Sequence, residues 1–166
     1  LTRPTADRVK EALFNVIQYE IRGEVLDLFA GTGQLGIEAL SRGAKHAVFV
    51  DRQTAAAALV RENLRRTHLT DRAEVVCSDY LAYLDRCTKR FDLIFLDPPY
   101  AEKSLEIAIK RISEIDILAD GGIIITERPR GKELQADFPG LTRSRDYDYG
   151  KTTITLLRKE RREDIL

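Results

Sequence analysis

Three features of this 166-residue sequence predict an α/β fold: apolar runs that alternate with helical patterns, a glycine-rich turn closing the first run, and acidic residues at the ends of successive runs. Such alternation gives a mostly parallel sheet with helices on both faces. The runs amount to a seven-stranded sheet. The last two are joined by a short turn with no crossover helix, which predicts an antiparallel closing strand.

Thr5 to Tyr19 reads as a helix: Val9, Leu13, Val16 and Ile17 share one face, with Thr5 as N-cap and Asp7 in the first turn. Val25 to Ala30 reads as a buried strand, and Gln34 to Arg42 as a helix ended by Gly43. Ala47 to Val50 is the second strand, Thr54 to Thr67 a helix, Ala73 to Cys77 the third strand and Tyr80 to Cys87 a short helix. Phe91 to Leu96 is almost continuously apolar, as a strand covered on both faces requires. Lys103 to Ile115 is helical, and Gly122 to Thr126 is the fifth strand. Leu141 to Tyr147 and Thr152 to Leu157 read as two strands joined through Tyr149-Gly150-Lys151. The chain is expected to form one domain over residues 1–166, with a helical segment at 1–20 and a solvated tail at 158–166 whose charges alternate in sign.

Lys plus Arg and Asp plus Glu both number 27, so the formal net charge is zero and any nucleic-acid binding must use a local basic patch. Arg3, Arg8 and Lys10 form one basic cluster, and Arg128, Arg130 and Lys132 another. Cys77 and Cys87 have neither metal-ligand nor redox spacing, so two reduced thiols and no metal are expected. No apolar run approaches the ~18 residues of a membrane span, and a cytoplasmic monomer is expected. The chain contains no Met and starts at Leu1, so its natural N-terminus is expected upstream.

In open parallel sheets, ligands bind beyond the carboxyl ends of the strands. There the first strand runs through Asp27, Phe29, Ala30, Gly31, Thr32 and Gly33 to Gly36, a G-x-G-x-x-G turn that opens a helix. Asp51 ends the second strand, 20 residues after Gly31, and suits ribose hydroxyls, with Arg52 beside it. Ser78, Asp79 and Tyr80 end the third strand, where an adenine edge can be met. Taken alone, the glycine turn suits NAD as well as S-adenosylmethionine (SAM). Asp27 favours SAM, because a carboxylate there suits a cationic amino group and repels a pyrophosphate. Each acidic residue alone is as readily a helix cap; their joint placement carries the reading.

The fourth strand ends in Asp97-Pro98-Pro99-Tyr100. Two prolines fix φ and remove backbone donors, giving a rigid loop that presents carbonyls. An exocyclic base amine is a weak nucleophile because its lone pair is delocalised into the ring. Hydrogen bonds from its N–H groups to the Asp97 carboxylate and the Pro98 carbonyl localise that pair and stabilise the charge that develops on nitrogen. Tyr100 offers a stacking face.

These residues resemble class I SAM-dependent methyltransferases acting on amino nitrogens, whose fold is Rossmann-like. The likeness narrows to the bacterial small-subunit rRNA guanine-N2 methyltransferase family over nearly the whole chain. It rests on the stretch from Thr2-Arg3-Pro4-Thr5 to Asn15, on Leu26 to Gly33, on Gly36-Ile37-Glu38-Ala39 with Ser41-Arg42-Gly43-Ala44, on Phe91 to Tyr100 and on Tyr149-Gly150-Lys151-Thr152. The resemblance implies SAM as cofactor and methyl transfer to N2 of one guanine in small-subunit rRNA, within whole or partly assembled particles. It places the target amine at Asp97 to Tyr100 and SAM at Gly31, Gly33, Asp51 and Asp79. It sets Arg3, Thr5 and Arg8 near the cofactor and the RNA. Two alternatives keep the reaction and change the substrate to DNA adenine or protein glutamine. An NAD-dependent oxidoreductase leaves Asp97 to Tyr100 unexplained, and a non-catalytic SAM-binding or ribosome-assembly module is disfavoured by that intact loop.

Overall fold

The computed structural model describes residues 4–99 and 103–160, and the side chains among them from Asp7 onward. The chain runs α1 (Pro4–Val16), β1 (Glu24–Asp27), α2 (Gln34–Ser41), β2 (His46–Asp51), α3 (Thr54–Arg66) and β3 (Ala73–Cys77). It continues through α4 (Tyr80–Arg86), β4 (Phe91–Leu96), α5 (Ser104–Ile115), β5 (Leu118–Pro129), β6 (Leu141–Arg143), β7 (Tyr147–Tyr149) and β8 (Thr152–Lys159). The sheet order is β3-β2-β1-β4-β5-β8-β6, with β7 also paired to β8. The strands β1 to β5 are mutually parallel, and β8 is antiparallel to β5 and to β6 and β7. The strand order therefore reverses between β1 and β4, which opens a crevice at their carboxyl ends.

Strand alternation splits the core in two. Val25, Phe49, Phe95 and Ile125 face α1, α2 and α3, whose Leu13, Phe14, Leu40 and Val60 are buried against them. Leu26, Val48, Ile94 and Ile124 face α4 and α5, which contribute Leu84, Leu105, Ile109 and Ile112. The apolar β4 run is buried from both sides, as its sequence predicts.

The differences from the sequence reading lie at element ends. α1 is helical from Pro4, the first described residue, so Thr5 lies within the helix rather than capping it. It ends at Val16, and Ile17 packs into the core from the following turn. β1 stops at Asp27, yet Leu28 still donates to the Phe95 carbonyl and Ala30 to the Val50 carbonyl, so the chain splays between β4 and β2 before the glycine turn. The expected strand Leu141 to Tyr147 is broken into β6 and β7. Leu157 pairs with Arg143 and Ile154 with Tyr147, so residues 144–146 oppose only 155–156. That extra residue is a β-bulge. Ser144 holds it by donating to and accepting from Leu156, and Asp146 accepts from Thr155. Counting the bulged pair as one strand restores seven.

The expected solvated tail is also corrected at its start. Arg158 and Lys159 belong to β8: Arg158 binds Glu20 and the Gly121 carbonyl, and Lys159 binds Asp116 and the Leu118 carbonyl. Residues 161–166 lie outside the described residues. No helix among the described residues is long and apolar enough to cross a membrane.

Candidate active site

The crevice holds a cavity of about 590 Å³ bounded by the ends of β1 to β4. Phe29, Ala30, Gly31, Thr32, Asp51, Arg52, Ser78, Asp79, Tyr80, Asp97, Pro98 and Pro99, separated by up to 70 positions in sequence, all line it. Leu28, Gln34, Leu35, Gln53 and Ala56 complete the wall. Leu28, Gln34 and Leu35 fall within or beside the glycine motif, whereas Gln53 and Ala56 carry no motif and only the fold identifies them.

The glycine turn is held by specific bonds. Gly33 donates to the Ala30 carbonyl at 2.7 Å, and Asn63 on α3 donates to the Thr32 carbonyl at 2.9 Å. Gly31 has φ +56°, and no atom lies within 4 Å of where a Cβ would stand. A positive φ and an open face suit a backbone that a ligand approaches closely. Gly33 and Gly36 do not line the cavity. Gly33, at φ +83°, turns the chain into α2, and a Cβ on Gly36 would stand 2.4 Å from the Phe49 ring. The third glycine of the motif therefore serves helix-to-strand contact.

Asp51 accepts from Gly31 N–H and from Gln53 N–H, both at 2.9 Å, and its remaining lone pairs border the cavity. Asp79 caps α4 by accepting from Leu81 and Ala82 while it lines the cavity, so the cap and the site reading hold together. Phe29 and Tyr80 form a tilted aromatic wall with centroids 5.0 Å apart.

Asp27 is placed differently from the sequence reading. It is 2% exposed, does not line the cavity, and accepts from Gly36 N–H at 3.1 Å. Burial pushes its carboxyl up to about 8, with smaller contributions from the Asp97 and Asp51 charges. Burial disfavours its ionised form, and it stands behind the cavity wall rather than on it. The charged groups on the cavity wall are Asp51, Arg52, Asp79 and Asp97. That acidic excess suits a cationic ligand and is unfavourable to a pyrophosphate, so the preference first drawn from Asp27 rests on these residues instead.

Asp97 ends β4, with Pro98 buried and Pro99 exposed beyond it. Its carboxyl is next to that of Glu127, which stands on β5 two residues before that strand ends, and the two act on each other. Burial raises Asp97 to about 6. It raises Glu127 to about 8, reinforced by the Asp97 charge. Sequence reasoning missed Glu127 by ending the fifth strand at Thr126. An acidic residue just beyond an apolar run is the signal that found Asp51 and Asp97, and it applies equally here.

Tyr100 and Arg3 lie outside the described residues, as does the side chain of Thr5. Arg8 is exposed on α1. Of the second basic cluster, Arg130 and Lys132 are exposed. Arg128 is 4% exposed and bound to Asp146, Thr155 and the Lys132 carbonyl, which makes it part of the architecture.

Residues 1–158 match the family described as Conserved hypothetical protein 95. The chain belongs to that family. Its relatives include the Bacillus subtilis protein YlbH, 44% identical over 95% of this chain and 88% of that protein. Ribosomal RNA small subunit methyltransferase D of Haemophilus influenzae is 39% identical over 80% of this chain and 70% of that protein. Among solved structures, a conserved hypothetical protein of Streptococcus pyogenes superposes with a TM-score of 0.86 at 33% identity, covering 91% of this chain and 95% of the other.

Proposed function

We propose that this member of the family is a SAM-dependent methyltransferase that modifies the exocyclic N2 of a guanine in small-subunit rRNA. One observation carries the reading: the Asp97-Pro98-Pro99 loop opens into the same cavity as the glycine turn and the acidic ends of β2 and β3. On this reading one crevice takes both methyl donor and amine acceptor. The relatives named ribosomal RNA small subunit methyltransferase D support rRNA as the substrate.

The cavity residues fit SAM. Asp51 is placed for the ribose hydroxyls, Asp79 and Tyr80 for the adenine end, and the open face of Gly31 for the approach of the chain that carries sulfur. When bound, SAM supplies an electrophilic methyl group on a sulfonium. Asp97 and the Pro98 carbonyl accept hydrogen bonds from the target amine, orient its lone pair and stabilise positive charge on nitrogen. Asp97 then takes the proton that the nitrogen sheds. Tyr100, next in sequence, is assigned to stacking on the base.

The test is methyl-labelled SAM incubated separately with undermethylated small ribosomal subunits, naked rRNA, duplex DNA and release-factor protein. Label recovered as N2-methylguanosine from subunits or rRNA is the expected result. Label confined to DNA or protein would overturn the substrate and keep the amino-methylation chemistry. No label in any tube would reject the enzyme reading for this chain.

A further inference from the structure

We infer that Glu127 is the positioning residue for Asp97: its carboxyl donates a hydrogen bond to the Asp97 carboxylate and fixes the oxygen that meets the target amine. This role rests on the methyltransferase reading above.

Register brings the two residues together. β4 and β5 pair in parallel with Leu96 beside Thr126, so the next residues, Asp97 and Glu127, stand abreast. Phe95 and Ile125, two residues earlier on each strand, both face the α1 to α3 layer. Strand alternation turns Asp97 and Glu127 to that same face, where the two carboxyls stand side by side and act on each other. Two carboxyl groups bond directly only when one of them keeps a proton. Asp97 lines the cavity and Glu127 does not, so Glu127 acts on the ligand through Asp97 alone.

The surroundings decide which partner holds the proton. Asp27 on β1 acts on Glu127 from across the sheet, as a second acidic neighbour. On β8 its ladder partner is the apolar Ile154. Arg128, next on β5, turns to the other face, where Thr155 and Asp146 hold it. Burial beside two carboxyls favours a neutral Glu127, and the cavity-facing Asp97 ionises first. Near neutral pH the pair carries one negative charge. At acid pH Asp97 is neutral and cannot accept the amine proton. At alkaline pH Glu127 loses its proton, and two anions side by side repel.

The experiment measures kcat and KM for SAM across pH 5.5 to 9.5 for the full chain and for Glu127→Ala and Glu127→Gln. It uses labelled SAM and whichever substrate the wild type methylates, with SAM affinity measured by calorimetry. Glu127→Ala is expected to lower kcat about 10- to 100-fold, as loss of positioning does, with SAM affinity within about twofold of wild type. Glu127→Gln keeps an N–H donor. It is expected to restore most of kcat at neutral pH and to remove the alkaline fall of the rate, since an amide does not titrate. If Glu127→Ala does not fold, the isosteric Gln variant still decides through its pH profile. A wild-type kcat in Glu127→Ala, or an alkaline limb retained in Glu127→Gln, overturns the positioning role while leaving the enzyme reading intact. A wild type that labels no substrate overturns the enzyme reading, and the positioning role falls with it.

Discussion

Asp97 stands between two surroundings with opposed demands: the half-buried Glu127 carboxyl behind it and an open cavity in front. Replacing it by Ala removes the acceptor for the target amine while the turn at Gly31 and the Asp51 and Asp79 ends stay in place. Methyl transfer is expected to fall ~10²–10³-fold, the usual cost of one lost transition-state contact. SAM affinity should change far less, and an unchanged rate would remove Asp97 from the chemistry. Asp51→Ala should do the reverse. It deletes the acceptor for Gly31 N–H and Gln53 N–H along with the cavity-facing lone pairs. Bonds to a charged acceptor are each worth about 1.5–3 kcal/mol, so a fall in SAM affinity of about tenfold or more is expected by calorimetry. Equal affinity would assign Asp51 to the loop alone. At this scale the sequence was legible where an acidic residue followed a strand whose end was read correctly, as at Asp51, Asp79 and Asp97. Glu127 escaped because β5 runs to Pro129, three residues beyond the apolar run. Asp27 was read as a carboxylate for a cationic amino group; its place behind the cavity wall, bound to Gly36 N–H, was not legible, because burial depends on what packs above it.

Among elements, α2 and β2 meet at a glycine. The ring of Phe49 occupies the space that a side chain on Gly36 would need. Gly36→Ala therefore overpacks the contact and should cost about 1–3 kcal/mol in urea unfolding. The cost should shrink in a Phe49→Leu background, which removes the clashing ring. The same penalty in both backgrounds would mean that Phe49 is not its cause. The interiors of the elements were legible because period 2 and period 3.6 are set by the backbone itself. Their ends were not, because tertiary contacts set them. The bulge between β6 and β7 exists to seat Asp146 against Arg128, Arg143 and Thr155, contacts from two other strands and from β6 itself. No local pattern announces that.

For the whole molecule, Asp27, Asp97 and Glu127 form an acidic group on one face of β1, β4 and β5, and burial raises all three. A carboxyl that keeps its proton to higher pH in the fold than in the unfolded chain gives stability that is fully present below the unfolded value, near pH 4. That stability is lost as pH rises through the folded value, which reaches about 8 for Asp27. Glu20 and Asp116 work in the other direction. Arg158 and Lys159 respectively hold them below the usual carboxylate range, so their contribution is present at neutral pH and lost on acidification. The fold should therefore weaken on both sides of a mildly acidic to neutral optimum. Asp27→Asn isolates the alkaline side. Its amide oxygen can still accept from Gly36 N–H, and its amide nitrogen replaces a proton that no longer has to be retained. Unfolding free energies of the variant and the wild type in urea should nearly coincide near pH 4, diverge in favour of the variant by a few kcal/mol as the pH rises to about 8, and run parallel above it. Profiles parallel throughout would show that Asp27 is ionised in the native protein. The acidic excess on the cavity wall would then extend inward beneath the glycine turn, and the case for a cationic ligand would regain Asp27 as one of its residues.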